Sequence, residues 1–296
     1  MTRREAIVIN DITVEWIDTD DAFRAVLDEQ DVGTDYALDT EFISGQSYRT
    51  ELSLVQIGWP NRIVLVDPYS VDLGALEPFF KGPARALLHA ASGDLDLLEE
   101  AVGVRPARLF DTQVAGQFLG LSTPSLAHLV QRYCGVSLDK THQRTDWTVR
   151  PLSNPVRHYA ASDVAYLHEL VDKMSVEIES RGRTPWLEDE NEIVRTTALS
   201  QSEPEELWWR LSRASTIPPN RQLGAQRLVV LRDSRARSRN RPVSHIIHDD
   251  AVVALASKPP STIDEFRRVK GCANIPEPFA REIMQVLAEA KNDSPG

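Results

Sequence analysis

The chain is short of cysteine, has no long apolar run and carries no excess of positive charge, and each shortage removes a class of protein. Cys134 and Cys272 are the only cysteines among 296 residues, too few for a disulfide framework or a cysteine-rich zinc site. No stretch approaches the roughly eighteen consecutive apolar residues of a transmembrane helix. The opening Met1-Thr2-Arg3-Arg4-Glu5 has no apolar core and does not read as a secretory signal. A cytoplasmic protein without membrane attachment is the expectation. There is no G-x4-G-K-[ST] phosphate loop, so the chain is not itself a helicase. No repeat recurs at a fixed period, and no heptad pattern argues for a coiled-coil dimer, so a monomer is expected. A formal net charge of −11 speaks against coating of polyanions by the whole surface.

What remains is ordinary globular composition, 42% hydrophobic and 26% charged, at a length that suits two domains. The charge is unevenly spread. From Trp209 to His245 nine arginines face one acid, Asp233, so this segment is +8 and the rest of the chain is −19. An acidic body joined to a basic stretch fits a protein that gathers cations in one part and touches phosphates in another, although arginines on solvated helix faces give the same count.

Ile12–Ile17, Tyr36–Phe42, Leu52–Gly58 and Ile63–Asp67 read as strands, with Trp59-Pro60-Asn61-Arg62 a tight turn between antiparallel neighbours. Asp18-Thr19-Asp20-Asp21 offers a helix cap with acids for the first turn. Short strands at Arg85–His89 and Leu109–Phe110 alternate with helices at Leu73–Phe80 and Gly93–Val102, and a helical region runs from Asp111 to about Glu179. Strands in succession, then strands alternating with helices, predict an α/β layer with a mixed sheet. Breaks at Ser180–Pro185 and Ser200–Pro204, with a polar helix through Thr197 between them, mark out a linker over 181–204. Beyond it, 205–291 reads as several short helices stopped by Pro218-Pro219 and Pro259-Pro260, with a tail at 292–296.

Four local patterns carry chemistry. In Asp39-Thr40-Glu41 residues i and i+2 of a strand point to one face, which puts two carboxylates on an otherwise apolar strand. They either hold a hard divalent cation or sit hydrated at a strand end. Tyr159 and Asp163, four apart, share a helix face, as a phenol and carboxylate that steer a water or as an anchor beside a surface acid. Asp94 follows the strand that ends at His89 and opens the next helix, where capping is its plain role. The stretch Leu138–Arg150 clusters the donors Lys140, Gln143 and Arg144 with the ring of Trp147. Such a mix suits single-stranded nucleic acid, unless Trp147 packs the core.

The order of these patterns is specific: Asp39-x-Glu41-Phe42, then His89-x4-Asp94-Leu95, then Tyr159-x3-Asp163. So are Tyr48-x3-Leu52-x-Leu54-x-Gln56-Ile57, Phe110-Asp111-Thr112-Gln113 and Lys140-x2-Gln143-x2-Asp146-Trp147-x2-Arg150-Pro151-Leu152. Together they resemble the tyrosine subclass of the Asp-Glu-Asp-Asp exonucleases, and within it ribonuclease D. Trp208-x2-Leu211, Arg241-Pro242, Asp249-Asp250 and Lys258-Pro259-Pro260-Ser261-Thr262 resemble one HRDC domain (helicase and RNase D C-terminal). The resemblance implies a ribonuclease H-like mixed sheet flanked by helices over 1–180 and a small all-α HRDC-like domain over 205–291. It implies Asp39, Glu41, Asp94 and Asp163 as ligands of two Mg²⁺ or Mn²⁺ ions, with Asp39 shared between them. Tyr159 would orient the attacking water, since a tyrosine's usual pKa of about 10 makes it a poor base. Phe42, His89, Lys140, Gln143 and Trp147 are the implied substrate contacts. The implied activity is 3′→5′ exoribonuclease action on structured RNAs such as tRNA precursors. The rivals are a DNA exonuclease of the Werner type and a non-catalytic RNA-binding adaptor. The loop Ile43–Ser47 has no basic residue for a substrate wall.

Overall fold

The computed structural model describes residues 7–43, 45, 47–139, 141–142, 145–197, 208–209 and 211–293. It divides into two units, the first comprising Met1–Ile43 and Glu51–Leu199, the second Ser44–Thr50 and Ser200–Gly296.

The first unit is a seven-stranded mixed sheet: β1 (Ile7–Ile9), β2 (Ile12–Ile17), β3 (Tyr36–Ile43), β4 (Glu51–Trp59), β5 (Arg62–Val66), β6 (Ala86–Leu88) and β7 (Leu109–Asp111), in the order β1-β2-β5-β4-β3-β6-β7. β5, β4 and β3 are antiparallel neighbours, whereas β6 and β7 continue parallel to β3. The tight turn at Trp59–Arg62 joins β4 to β5 as antiparallel neighbours, and helical crossovers make the parallel pattern. This is the ribonuclease H-like mixed sheet expected. β1, three residues long, is the strand the sequence pattern did not reveal.

Helices cover both faces. α1 (Asp20–Asp28) starts where Thr19 Oγ1 accepts from Ala22 N at 3.3 Å, as the acid-rich cap pattern predicts. It joins α2 (Glu77–Phe80) and α3 (Ser92–Val102) on one face, with a core of Leu38, Val55, Phe80, Leu95 and Leu98. α4 (Thr112–Phe118), α5 (Leu126–Cys134), α6 (Asn154–Ala165) and α7 (Leu167–Ser180) pack the other, around Ala37, Leu54, Ala160, Val164 and Met174.

The stretch 181–204 is not a simple linker. α8 (Thr184–Thr196) docks on the sheet-bearing unit: Leu187 enters its core and Asn191 Oδ1 accepts from Asp111 N at 3.2 Å. Leu187 and Asn191 sit four apart on one face of a helix that leaves Trp186 and Ile193 exposed, so its apolar residues do not announce a docking side. Residues 198–207 lie outside the described residues.

The second unit is helical, with α9 (Gln222–Arg239), α10 (Val243–Ile246), α11 (Asp249–Ser257), α12 (Ile263–Arg268) and α13 (Glu277–Asp293) around Leu228, Val252, Phe266 and Ile283. At eighteen residues α9 is longer than the short helices expected. The basic segment is also less open than its count implied. Arg232 is buried against Asp249 at 2.6 Å, Arg227 pairs with Asp293 at 2.7 Å, and Arg235 lies 3.8 Å over the Phe279 ring while reaching Glu282. Arg237 pairs with Asp233 one turn back. Part of the basic segment therefore holds this unit together, and Arg213, Arg239 and Arg241 are the segment's fully exposed arginines without an ion pair among the described residues. No helix among the described residues is long and apolar enough to cross a membrane.

Candidate active site

β3 delivers the first two acids. Asp39 and Glu41 share the sheet face of Ala37, which packs with Ala160, Ala161 and Val164 of α6. α6 presents Tyr159 and Asp163 one turn apart toward the same place. One carboxylate oxygen from each of Asp39, Glu41 and Asp163 lies within 4.8 Å of the other two. Asp94 arrives from the opposite face of the sheet, where Leu95 and Leu98 of α3 pack against Leu38. It does not cap α3, which has no side-chain cap; its Oδ1 accepts from Thr40 Oγ1, between the two acids of β3. The four acids, Tyr159, His89 and Phe42 all line one cavity of about 500 Å³. A bulge between Glu41 and Phe42 turns the strand, leaving the Phe42 ring 41% exposed at the site.

The electrostatics are those of uncompensated acids. Burial pushes the Asp39 carboxyl well above the usual carboxylate range, helped by Asp163, Asp94 and Glu41. Glu41 is pushed up to about 8 by burial, then by Asp163 and Asp94. Burial lifts Asp163 to about 7 and Asp94 to about 6, the latter against the Thr40 hydrogen bond. No lysine or arginine is among the described residues lining the cavity. The positive charge that would satisfy these groups must come from outside, and oxygen-only donors at this spacing fit a hard divalent cation.

Supporting residues fix the acids and the tyrosine. Gln56 faces Asp39 across β4, is fully buried, and donates from Nε2 to Asp39 Oδ2 at 3.4 Å. The carboxylate of Asp111 accepts from Ala90 N, Ala91 N and Gln113 N at 2.8–3.0 Å, tying the His89 turn to the start of α4. Arg150 grips Asp67 through Nε and a terminal nitrogen at 2.8 and 3.0 Å and donates to Ser53 O and Trp147 O. That clamp lays the Trp147 loop on the sheet. Gln56, Asp111 and Arg150 stand in motif blocks of the sequence, but nothing local in the sequence shows what they grip.

Trp147 is the correction. Its ring is 2% exposed and lies 6.2 Å from that of Tyr159, in the core rather than on a substrate wall. It braces the tyrosine from behind, while His142 meets the same ring edge-on at 6.1 Å. Lys140 and Gln143, and Arg144 beside them, lie outside the described residues.

Comparison with known proteins agrees with this geometry. Residues 14–179 match the 3′-5′ exonuclease family model, and residues 225–287 match the HRDC domain. A ribonuclease D of Escherichia coli is 31% identical over 85% of this chain and 68% of its own length. The chain belongs to the ribonuclease D family. A second member, from Bartonella henselae, is 33% identical over 79% of the chain, which spans only 58% of that relative's length. The crystal structure of Escherichia coli RNase D, described as an exoribonuclease involved in structured RNA processing, superposes with a TM-score of 0.85 at 29% identity, covering 93% of this chain and 74% of that one. The acid cluster lies within the stretch, residues 14–179, that matches the exonuclease family model.

Proposed function

We propose that the chain is a metal-dependent 3′→5′ exoribonuclease, which hydrolyses RNA from a free single-stranded 3′ end and releases nucleoside 5′-monophosphates. The convergence of Asp39, Glu41 and Asp163 in a cavity that no cationic side chain lines among the described residues is the observation that carries this reading. Asp39, Glu41 and Asp163 would hold one Mg²⁺ or Mn²⁺ ion, and Asp94 with Asp39 a second. When bound, such ions neutralise the acids and stabilise charge on the attacking and leaving oxygens at phosphorus.

The chain's own residues do the rest. Tyr159, its ring in contact with those of Trp147 and His142, orients the attacking water with its phenol oxygen. Asp94 is held to β3 by Thr40, so both faces of the sheet contribute to one centre. Phe42, exposed just past the bulge, stacks on the terminal base and sets the depth to which the strand enters. The surface arginines of the helical unit hold phosphates of the RNA body. Precursors of tRNA, which carry single-stranded 3′ tails on a folded body, are the substrates this division suits, met in the cytoplasm by a monomer.

The test is digestion of one RNA with a free or a blocked 3′ end, with and without EDTA, by the wild type and Asp39→Asn. Stepwise shortening of the free-ended RNA alone, lost with EDTA and with Asp39→Asn, is the expected outcome. Preferential trimming of a matched DNA would make it a DNA exonuclease. Tight RNA binding with no Mn²⁺-stimulated hydrolysis of any nucleic acid would make it an adaptor.

A further inference from the structure

We infer that His89 reads the sugar: its Nε2 accepts a hydrogen bond from a ribose hydroxyl of the 3′-terminal nucleotide, which makes His89 a specificity-determining residue of this site. The inference rests on the exonuclease reading above and adds to it a named atom and a named chemical group.

The backbone first aims the ring. β6 ends at Leu88, and the chain turns through Ala90 at φ +58, a left-handed conformation uncommon for a residue with a Cβ. Ala90 N and Ala91 N hold that turn by donating to the Asp111 carboxylate at 3.0 and 2.8 Å. His89 is thereby set at the wall of the cavity that Asp39, Glu41, Asp94 and Asp163 also line.

A hydrogen-bond chain then decides which nitrogen carries the proton. His89 Nδ1 lies 2.9 Å from Thr112 Oγ1, and Thr112 Oγ1 lies 3.1 Å from Leu88 O. The hydroxyl has one proton for two contacts, and a carbonyl oxygen can only accept. Thr112 therefore donates to Leu88 O, and Nδ1–H donates to Thr112 Oγ1. Every other arrangement sets two acceptors against each other in a buried place. Burial lowers the His89 pKa from its usual value, against an opposing pull from Asp111, which favours the neutral ring. A neutral imidazole protonated on Nδ1 has a lone pair on Nε2. That nitrogen has no hydrogen-bond partner among the described residues.

What fills the place must be a donor. On a 3′-terminal nucleotide the donors are the exocyclic and ring N–H groups of the base, which change from base to base, and the sugar hydroxyls, which do not. An enzyme that removes residues in succession needs the constant group, which selects the 2′- or 3′-hydroxyl. A site that leaves a buried acceptor unpaired rejects the analogue lacking the donor.

The experiment compares kcat/KM for RNA oligomers that differ only in the last sugar (ribose, 2′-deoxyribose or 3′-deoxyribose) on the wild type, His89→Phe and Thr112→Val. The wild type should lose about 10- to 100-fold on the terminus that lacks the recognised hydroxyl, and the arm that loses identifies it. His89→Phe, which keeps a ring but no acceptor, should treat the three ends alike within about twofold. Thr112→Val frees Nδ1 and should erode the discrimination in part, whereas a purely structural role would slow all three ends equally. The ¹⁵N shifts of the imidazole give a readout that needs no substrate: Nδ1 should show the protonated and Nε2 the unprotonated signature near pH 7. A protonated Nε2, unchanged discrimination in His89→Phe, or a wild type indifferent to the sugar overturns the inference and leaves the exonuclease reading standing. A wild type that trims none of the oligomers overturns both.

Discussion

Stripping divalent ions from the protein and raising the pH should weaken the sheet-bearing unit, and the size of the effect follows from the acid cluster. An acid whose pKa is higher in the folded than in the unfolded chain binds its proton more tightly when folded. Its contribution to stability is full below the unfolded pKa and is lost as pH rises through the folded one. Glu41 goes from 4.5 to about 8, so its window runs from about pH 4.5 to 8. One such group gives a slope of about 1.4 kcal/mol per pH unit, so two pH units inside the window cost about 3 kcal/mol. The four acids share protons, and the slope belongs to the cluster. For a domain of this size about 3 kcal/mol lowers Tm by about 6–12 °C. Calorimetric melts at pH 5.5, 6.5 and 7.5 in EDTA should show that fall, and Mg²⁺ or Mn²⁺ should reverse most of it at pH 7.5. Glu41→Gln should melt higher than the wild type at pH 7.5 in EDTA and respond less to the metal. A Tm in EDTA that stays level from pH 5.5 to 7.5, or a fall that Glu41→Gln leaves untouched, would refute the claim that these acids crowd one another.

Trp147→Ala should cost about 3–5 kcal/mol in urea denaturation, the price of a large core cavity, and lower kcat through Tyr159 with little change in KM. A raised KM at unchanged stability would restore the substrate-wall role. Arg150→Met leaves the Asp67 carboxylate, 5% exposed, without its cation and should destabilise by about 3 kcal/mol or more; a loss below about 1 kcal/mol by the same measurement would mean the clamp is slack. Replacing Arg213, Arg239 and Arg241 together by Ala should lower the slope of log affinity against log salt by about 2 for single-stranded RNA. Anisotropy titrations between 50 and 200 mM KCl measure it, and an unchanged slope would remove these arginines from the interface.

The parts of the site that follow a local period were legible in the sequence. Asp39 and Glu41 share a face because strand residues alternate, and Tyr159 and Asp163 share one because four residues make about a helical turn. The motif order then joined these pairs to Asp94 as one family pattern. Where a residue's role depends on what comes to meet it, the sequence was silent or misleading. The polar run after Ser180 reads as a linker because only Leu187 and Asn191 of α8 are buried, and the surface that receives them is built elsewhere in the chain. Trp147 beside basic residues reads as a platform for bases until Arg150 and Asp67 fold its loop onto the sheet.

By itself, then, the chain determined six of its seven strands and set Asp39 with Glu41, and Tyr159 with Asp163, on common faces, because each is fixed by neighbours within a few residues. Tertiary structure alone decided that Asp94 approaches from the far side of the sheet through Thr40, that Arg227, Arg232, Arg235 and Arg237 of the basic segment are held in internal ion pairs, and that Thr112 sets the proton on His89. Those outcomes depend on distances between groups far apart in the chain, which only close packing brings within reach of a hydrogen bond or a charge.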